Sequence, residues 1–172
     1  GPGMLRSLVN PDTSALKPSV LQGDSVPKDL PDEPTRVFVS DVSIDVPGLT
    51  ELGPVLASEI QVALQSSGRY QGLTLENLEA QLRKEKRKAL LSCADDGCVQ
   101  RIIENFGIPD TVFGRVKPLG TERVHLTLTW VRAGDVVHAV TAVSGRDPDA
   151  LLPAMRDLAT GLAAAVDRGE GE

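Results

Sequence analysis

The chain has 172 residues, enough for one domain of ordinary size with a tail but too few for two full domains. Hydrophobic residues at 41% and charged ones at 24% let a core form, and aromatics at only 3% make that core aliphatic. An excess of 24 acidic over 18 basic residues gives a formal charge of −6, which argues against broad electrostatic capture of nucleic acid or of an anionic membrane.

No stretch approaches the roughly 20 apolar residues of a membrane helix. The 2 cysteines exclude a zinc site of four thiolates and a multi-bridge scaffold. Gly1-Pro2-Gly3 reads as the remnant of a cleaved tag, and Leu5 to Val9 is too short for the apolar core of a signal peptide. From Asn10 to Pro34, the prolines Pro11, Pro18, Pro27, Pro31 and Pro34 stand among polar residues, and the apolar ones keep no period. Residues 4–34 are therefore expected to form a flexible tether, reaching roughly 30 Å as a random coil. The other reading of this segment is an added stretch without a role. The expected folded domain runs over residues 35–168, followed by a frayed tail at 169–172.

A strand is expected from Arg36 to Ile44. Val37, Val39, Asp41 and Ser43 fall on one side and Phe38, Ser40, Val42 and Ile44 on the other, so both faces are mixed. Pro47-Gly48 ends it. Leu52, Val55, Leu56, Ile60, Ala63 and Leu64 recur at helical spacing, with Pro54 suited to the first turn and Gly68 to the end. Arg69 to Thr74 reads as a short strand. Leu75, Leu78 and Leu82 open a second helix, expected to continue through Arg83-Lys84-Glu85-Lys86-Arg87-Lys88 to Leu91. A third helix carries Val99, Ile102, Ile103 and Phe106, and Gly107 and Pro109 stop it. Three strands follow: Asp110 to Val116, the alternating Val124-Leu126-Leu128-Trp130 segment, and Val136 to Val143, the last two joined by a hairpin at Ala133-Gly134. Asp147-Pro148 supplies a cap and a first helical proline for a final helix bearing Leu151, Met155, Leu158, Leu162 and Val166. The order β-α-β-α-α-β-β-β-α specifies a mixed α/β (α+β) sandwich, with a mixed sheet of about five strands and helices packed on it.

The run Phe106-Gly107-Ile108-Pro109-Asp110-Thr111-Val112-Phe113-Gly114-Arg115-Val116 resembles the helix–strand passage of TolB N-terminal-like and CsgG-like domains of bacterial envelope proteins. The opening strand, the helix over Leu52–Leu64, Arg69-Tyr70 and the turn at Gly134 are similar to that family's remaining elements. The resemblance spans about Thr35 to Val166. It departs at Trp130-Val131-Arg132, where the family often has an Asp. The sequence holds neither the β-propeller that TolB adds nor the amphipathic hairpins that build the CsgG pore. A bare domain on a tether is similar to LpoB-type outer-membrane lipoproteins, whose tether carries such a domain to a peptidoglycan synthase. The resemblance thus implies a non-catalytic, periplasmic interaction domain, possessing no cofactor. Its partner would be another envelope protein (of peptidoglycan synthesis, secretion or motility machinery) or further copies of itself.

Four residues separate Cys93 from Cys98, and a turn over Ala94-Asp95-Asp96-Gly97 can bring their Cα atoms to the ~5.5–6 Å of a disulfide. Such a bridge would hold the junction of two helices and place the domain in an oxidising compartment. The alternative is two free thiols in a cytosolic, ligand- or partner-binding regulatory domain cut from a longer protein. Asp95 and Asp96 read as N-cap and helix-dipole residues. A two-residue turn at Ala133-Gly134 would set Thr129 opposite His138 and His125 opposite Ala142. The two histidines would then share a face roughly 13 Å apart, too far for one zinc. No G-x-S-x-G, H-E-x-x-H or GK[ST] motif occurs, so no catalytic residue is nominated. Arg83, Lys84, Arg87 and Lys88 stack at i,i+4 on the expected helix, with Glu79 able to pair with Arg83. They form a cationic face lacking the aromatics of a single-strand nucleic-acid site, suited to solvent or to an acidic protein surface.

Overall fold

The structure, a computed structural model, describes residues 33–79 and 81–169. The expected tag remnant and all but the last two residues of the expected tether lie outside the described residues. Strands β1 (Thr35–Val39), β2 (Ser43–Ile44), β3 (Tyr70–Thr74), β4 (Asp110–Leu119), β5 (Arg123–Arg132) and β6 (Asp135–Gly145) form one sheet. Helices α1 (Gly53–Gln65), α2 (Leu75–Leu78), α3 (Lys84–Leu91), α4 (Asp96–Asn105) and α5 (Pro148–Asp167) pack around it. The sheet is 6-stranded, ordered β3-β1-β4-β5-β6, and β2 pairs β4 beyond the end of β1. β1 runs parallel to β3 and β4, while β4, β5 and β6 form an antiparallel meander. The mixed sheet with helices on it is thus the architecture expected.

The expected opening strand is broken, and the break has a clear cause. β1 pairs Val39 with Val112 and β2 pairs Ser43 with Arg115, so Ser40-Asp41-Val42 oppose only Phe113-Gly114. This bulge shifts the alternation by one residue. Without it Asp41 would follow Val37 and Val39 into the core. With it Val42 enters instead, at 4% exposure, joined by Val46, and Asp41 turns out to solvent. Two glycines make room. A Cβ on Gly114 would lie 3.0 Å from both Val42 Cγ2 and Leu128 Cδ2, and one on Gly53 would lie 2.7 Å from the Val42 carbonyl oxygen. The Val42 N–H in turn donates to the Gly53 carbonyl, tying the bulge to the start of α1.

The main core lies between one sheet face and helices α1 and α5. It gathers Val37, Val39, Val42, Leu56, Ile60, Leu64, Val112, Val116, Leu126, Leu128, Trp130, Leu151, Met155 and Leu162. Asp147 caps α5, accepting from the Asp149 N–H, with Pro148 in the first turn as expected. The end of α5 is clamped back to the sheet. The Tyr70 hydroxyl donates to Asp167 at 2.5 Å, Arg69 lies 3.7 Å from the same carboxylate, and the Tyr70 ring meets Trp130 edge-on at 4.9 Å.

Two expectations change. The helix expected from Leu75 to Leu91 is two: α2 closes after one turn under a Thr74–Asn77 capping box, and α3 begins after an extended Arg83. On a single straight helix Leu90 would point about 120° away from Leu78. The break lets Leu78, Leu82 and Leu90 enter one cluster. The β5–β6 register also differs. Arg132 pairs with Asp135 across Ala133-Gly134, but a bulge at Trp130/Val131 sets His138 opposite Trp130 and His125 opposite Val143. Trp130 faces the core, so the histidines lie on opposite faces rather than on a shared one.

Gly53→Ala forces a Cβ against a backbone carbonyl that cannot swing aside, and should cost roughly 1–3 kcal/mol, seen as a lowered Tm. Burial, helped by the hydrogen bond and charge of Asp167, raises the Tyr70 phenol above its usual range. The unfolded chain therefore loses this proton first, and the stability it contributes is present below pH 10 and drains away above it. Tyr70 is the single tyrosine, so its ultraviolet phenolate titration reads this group alone. Tyr70→Phe should lower stability at neutral pH by about 1 kcal/mol and flatten that alkaline slope in urea unfolding.

Candidate docking surface

Phe38 and Leu73, from β1 and β3, carry the second face of the sheet into a smaller cluster with Leu78, Leu82, Leu90, Ile103 and Ile108. That cluster holds α2, α3 and α4 over the β3-β1-β4 half. Leu90 anchors α3, and the charged remainder of the helix is left in solvent: Lys84, Lys86, Arg87 and Lys88 are all exposed.

The structure sorts the four basic residues singled out from the sequence. Lys84 and Lys88 stack one turn apart on α3 as expected. Arg83 is not part of the helix but caps it in extended backbone. Arg87, not Arg83, takes Glu79 as its ion-pair partner, at 3.5 Å. Among the described residues no carboxylate lies within ion-pair reach of Arg83, Lys84 or Lys88. Lys86 turns the other way and rests over the Phe106 ring at 5.9 Å. The cationic surface therefore centres on Arg83, Lys84 and Lys88. Leu91, a helical turn beyond Lys88 and 63% exposed, adds an apolar contact. With Leu90 and Leu91 adjacent, only one can face the core.

The disulfide is directly next to this helix. Cys93 and Cys98 are bonded, with Cα atoms 5.6 Å apart. The bridge ties the residues just past α3 to the first turn of α4. Asp95 caps α4 by accepting from the Cys98 N–H at 2.8 Å, and Asp96 pairs with Arg115 of β4. Both aspartates take the structural roles read from the sequence. The cationic helix is thereby linked to α4, and α4 to the sheet.

Two features escaped the sequence. Asp110, 2% exposed at the start of β4, binds Arg132 Nε at 2.7 Å, closing the end of the β4–β5 pair. A cleft of about 400 Å³ opens where β1 and β3 end and α1 and α2 begin, lined by Asp41, Ser58, Thr74, Glu76 and Glu79 among others. Partial burial raises the Asp41 carboxyl above the usual range. Ser58 donates to the Pro54 carbonyl of its own helix, so the cleft presents carboxylates and not an activated hydroxyl. Among the described residues no three His, Cys, Asp or Glu side chains are grouped to hold one metal ion. No described helix is long and apolar enough to cross a membrane.

No protein-family model matches the chain, and no curated protein matches it. Solved structures of similar fold include PelC from Paraburkholderia phytofirmans, a dodecamer, at 13% identity and a TM-score of 0.48, covering 75% of this chain and 86% of that one. TolB from Acinetobacter baumannii matches at 14% identity and a TM-score of 0.47, over 81% of this chain and 29% of its own. The C-terminal domain of LpoB from Salmonella enterica matches at 10% identity and a TM-score of 0.48, over 67% and 85%. TolB carries a domain of the kind that the sequence motifs resemble, and LpoB is similar in the expected architecture of a tether with a bare domain. The likeness is one of fold alone.

Closing so short a loop restrains the unfolded chain modestly. A Cys93→Ser/Cys98→Ser variant should lose ~2 kcal/mol in denaturant unfolding while keeping its far-ultraviolet dichroism.

Proposed function

We propose that this chain is a non-catalytic interaction domain of a bacterial cell envelope, carried on residues 4–34 as a tether and docking through α3 onto an acidic surface of a larger assembly. The observation that carries this reading is the cationic surface of Arg83, Lys84 and Lys88 beside exposed Leu91. It stands out on a chain of net charge −6, where scattered cations would normally be balanced by neighbouring acids. Such a surface steers an acidic partner into register, and the adjacent leucine supplies area that loses water on contact.

The Cys93–Cys98 bridge supports the compartment, because disulfides persist where the surroundings oxidise, as in the periplasm. It also supports the mechanism. A helix held at its end loses less conformational freedom on docking than a loose one would. A tether would raise the effective concentration of the domain around its partner without adding contacts.

A photo-crosslinking residue placed at Lys88 in the native host should trap one envelope protein, and Lys84→Glu in the same chain should abolish that adduct. The same residue placed at Val62, exposed on α1 across the sheet, should not trap it. Equal trapping from both positions, or an adduct indifferent to Lys84→Glu, would sink the docking face. Cysteines that alkylate freely in protein taken directly from cells, without reductant, would sink the compartment.

A further inference from the structure

β6 lies at the end of the sheet and pairs with β5 alone. Among the described residues, no hydrogen bond outside the β5–β6 ladder reaches the backbone from Val136 to Val143. A free edge is ordinarily blunted by lysine, proline, shortness or a bulge, and the one bulge here, at Val137, leaves the pairing from His138 onward regular. This one is 11 residues long, and from Val136 to Gly145 it has neither a charge nor a proline. Its outward side chains are small or apolar: Ala139 and Thr141 are exposed, Val136 is 63% exposed and Val143 49% exposed.

The charges at the two ends say what fits there. Asp135 opens the strand, and Arg146 follows it, fixed by donating to the Gly120 carbonyl at 2.7 Å and the Arg123 carbonyl at 3.4 Å. Set antiparallel about a two-fold axis at Val140, a second β6 brings its Arg146 end beside Asp135 and its Asp135 end beside Arg146. Every pair between those ends is uncharged. Ala139 then faces Thr141, and Thr141 faces Ala139. On a chain of net charge −6, copies repel one another over most of their surface, and this neutral strip with opposite charges at its ends is a place where they can meet.

We infer that β6 is the pairing edge of a two-fold dimer of this chain, joining two sheets through backbone hydrogen bonds. The pairing is isologous, so it closes on itself and does not propagate into fibres. It does not involve α3, and it stands or falls separately from the docking face.

Sedimentation equilibrium of the full chain, from low micromolar to submillimolar concentration, should show a monomer–dimer equilibrium. Ala139→Lys/Thr141→Lys sets lysine against lysine twice across the axis and should weaken the dimer about tenfold or more. Ala139→Glu/Thr141→Lys sets glutamate against lysine and should restore it. Both positions are exposed, and an unchanged Tm shows that each variant folds. A monomer at every concentration overturns the inference. So does a dimer indifferent to the paired lysines, or one that both variants weaken equally.

Discussion

The contact on which most of this molecule depends is that of Val42 with two glycines. The bulge at Ser40–Val42 reverses which side chains of the opening strand face inward, and Val42 comes to lie over Gly114 and against the backbone of Gly53. One residue thus joins the centre of the sheet, the main core and the start of α1. The same reversal puts Asp41 outside, where it lines the acidic cleft instead of lying unpaired among valines. A carboxylate left in that core would be far costlier than a bulge.

From that junction the sheet divides into unequal halves. One face is covered throughout by α1 and α5, and their apolar stripes account for the larger cluster. The other face is covered where Phe38 and Leu73 project, by three short helices around a small cluster. Those helices bury few residues each and depend on local fastenings: the Thr74–Asn77 capping box, the Cys93–Cys98 bridge, and the Asp96–Arg115 ion pair. Such a layer suits a docking surface. Its backbone is restrained, and its charged side chains are free of the core.

Beyond the small helices, no helix among the described residues covers the second face of β5 and β6. Thr127, Thr129 and Val131 line a groove of about 370 Å³ beside α4 with Gln100 and Phe113, and the edge of β6 borders it. A basic helix and a neutral edge therefore occupy separate regions of one domain. Their chemistries differ, so the two proposed contacts do not compete for one surface.

The chain by itself determined much of this. Apolar spacing located α1, α4, α5 and the three strands of the meander, because periods of 3.6 and 2 follow from backbone geometry and survive any packing. Proline and aspartate at 147–148 marked the start of α5, and the spacing of Cys93 and Cys98 allowed their bond, both being local matters. Tertiary structure decided the rest. The opening strand looked mixed on both faces because a bulge, visible only once β4 lies alongside, exchanges the faces midway. The second helix looked continuous because periodicity does not register that Leu90 must meet the cluster of Leu78. The histidines looked aligned because one extra residue in β6 carries no sequence signal. Arg87 found Glu79 only once the helix had broken between them, and Arg132 found Asp110 only once β4 and β5 had paired. The physical reason is the same in each case: local preference fixes which residues repeat, and packing fixes what they face.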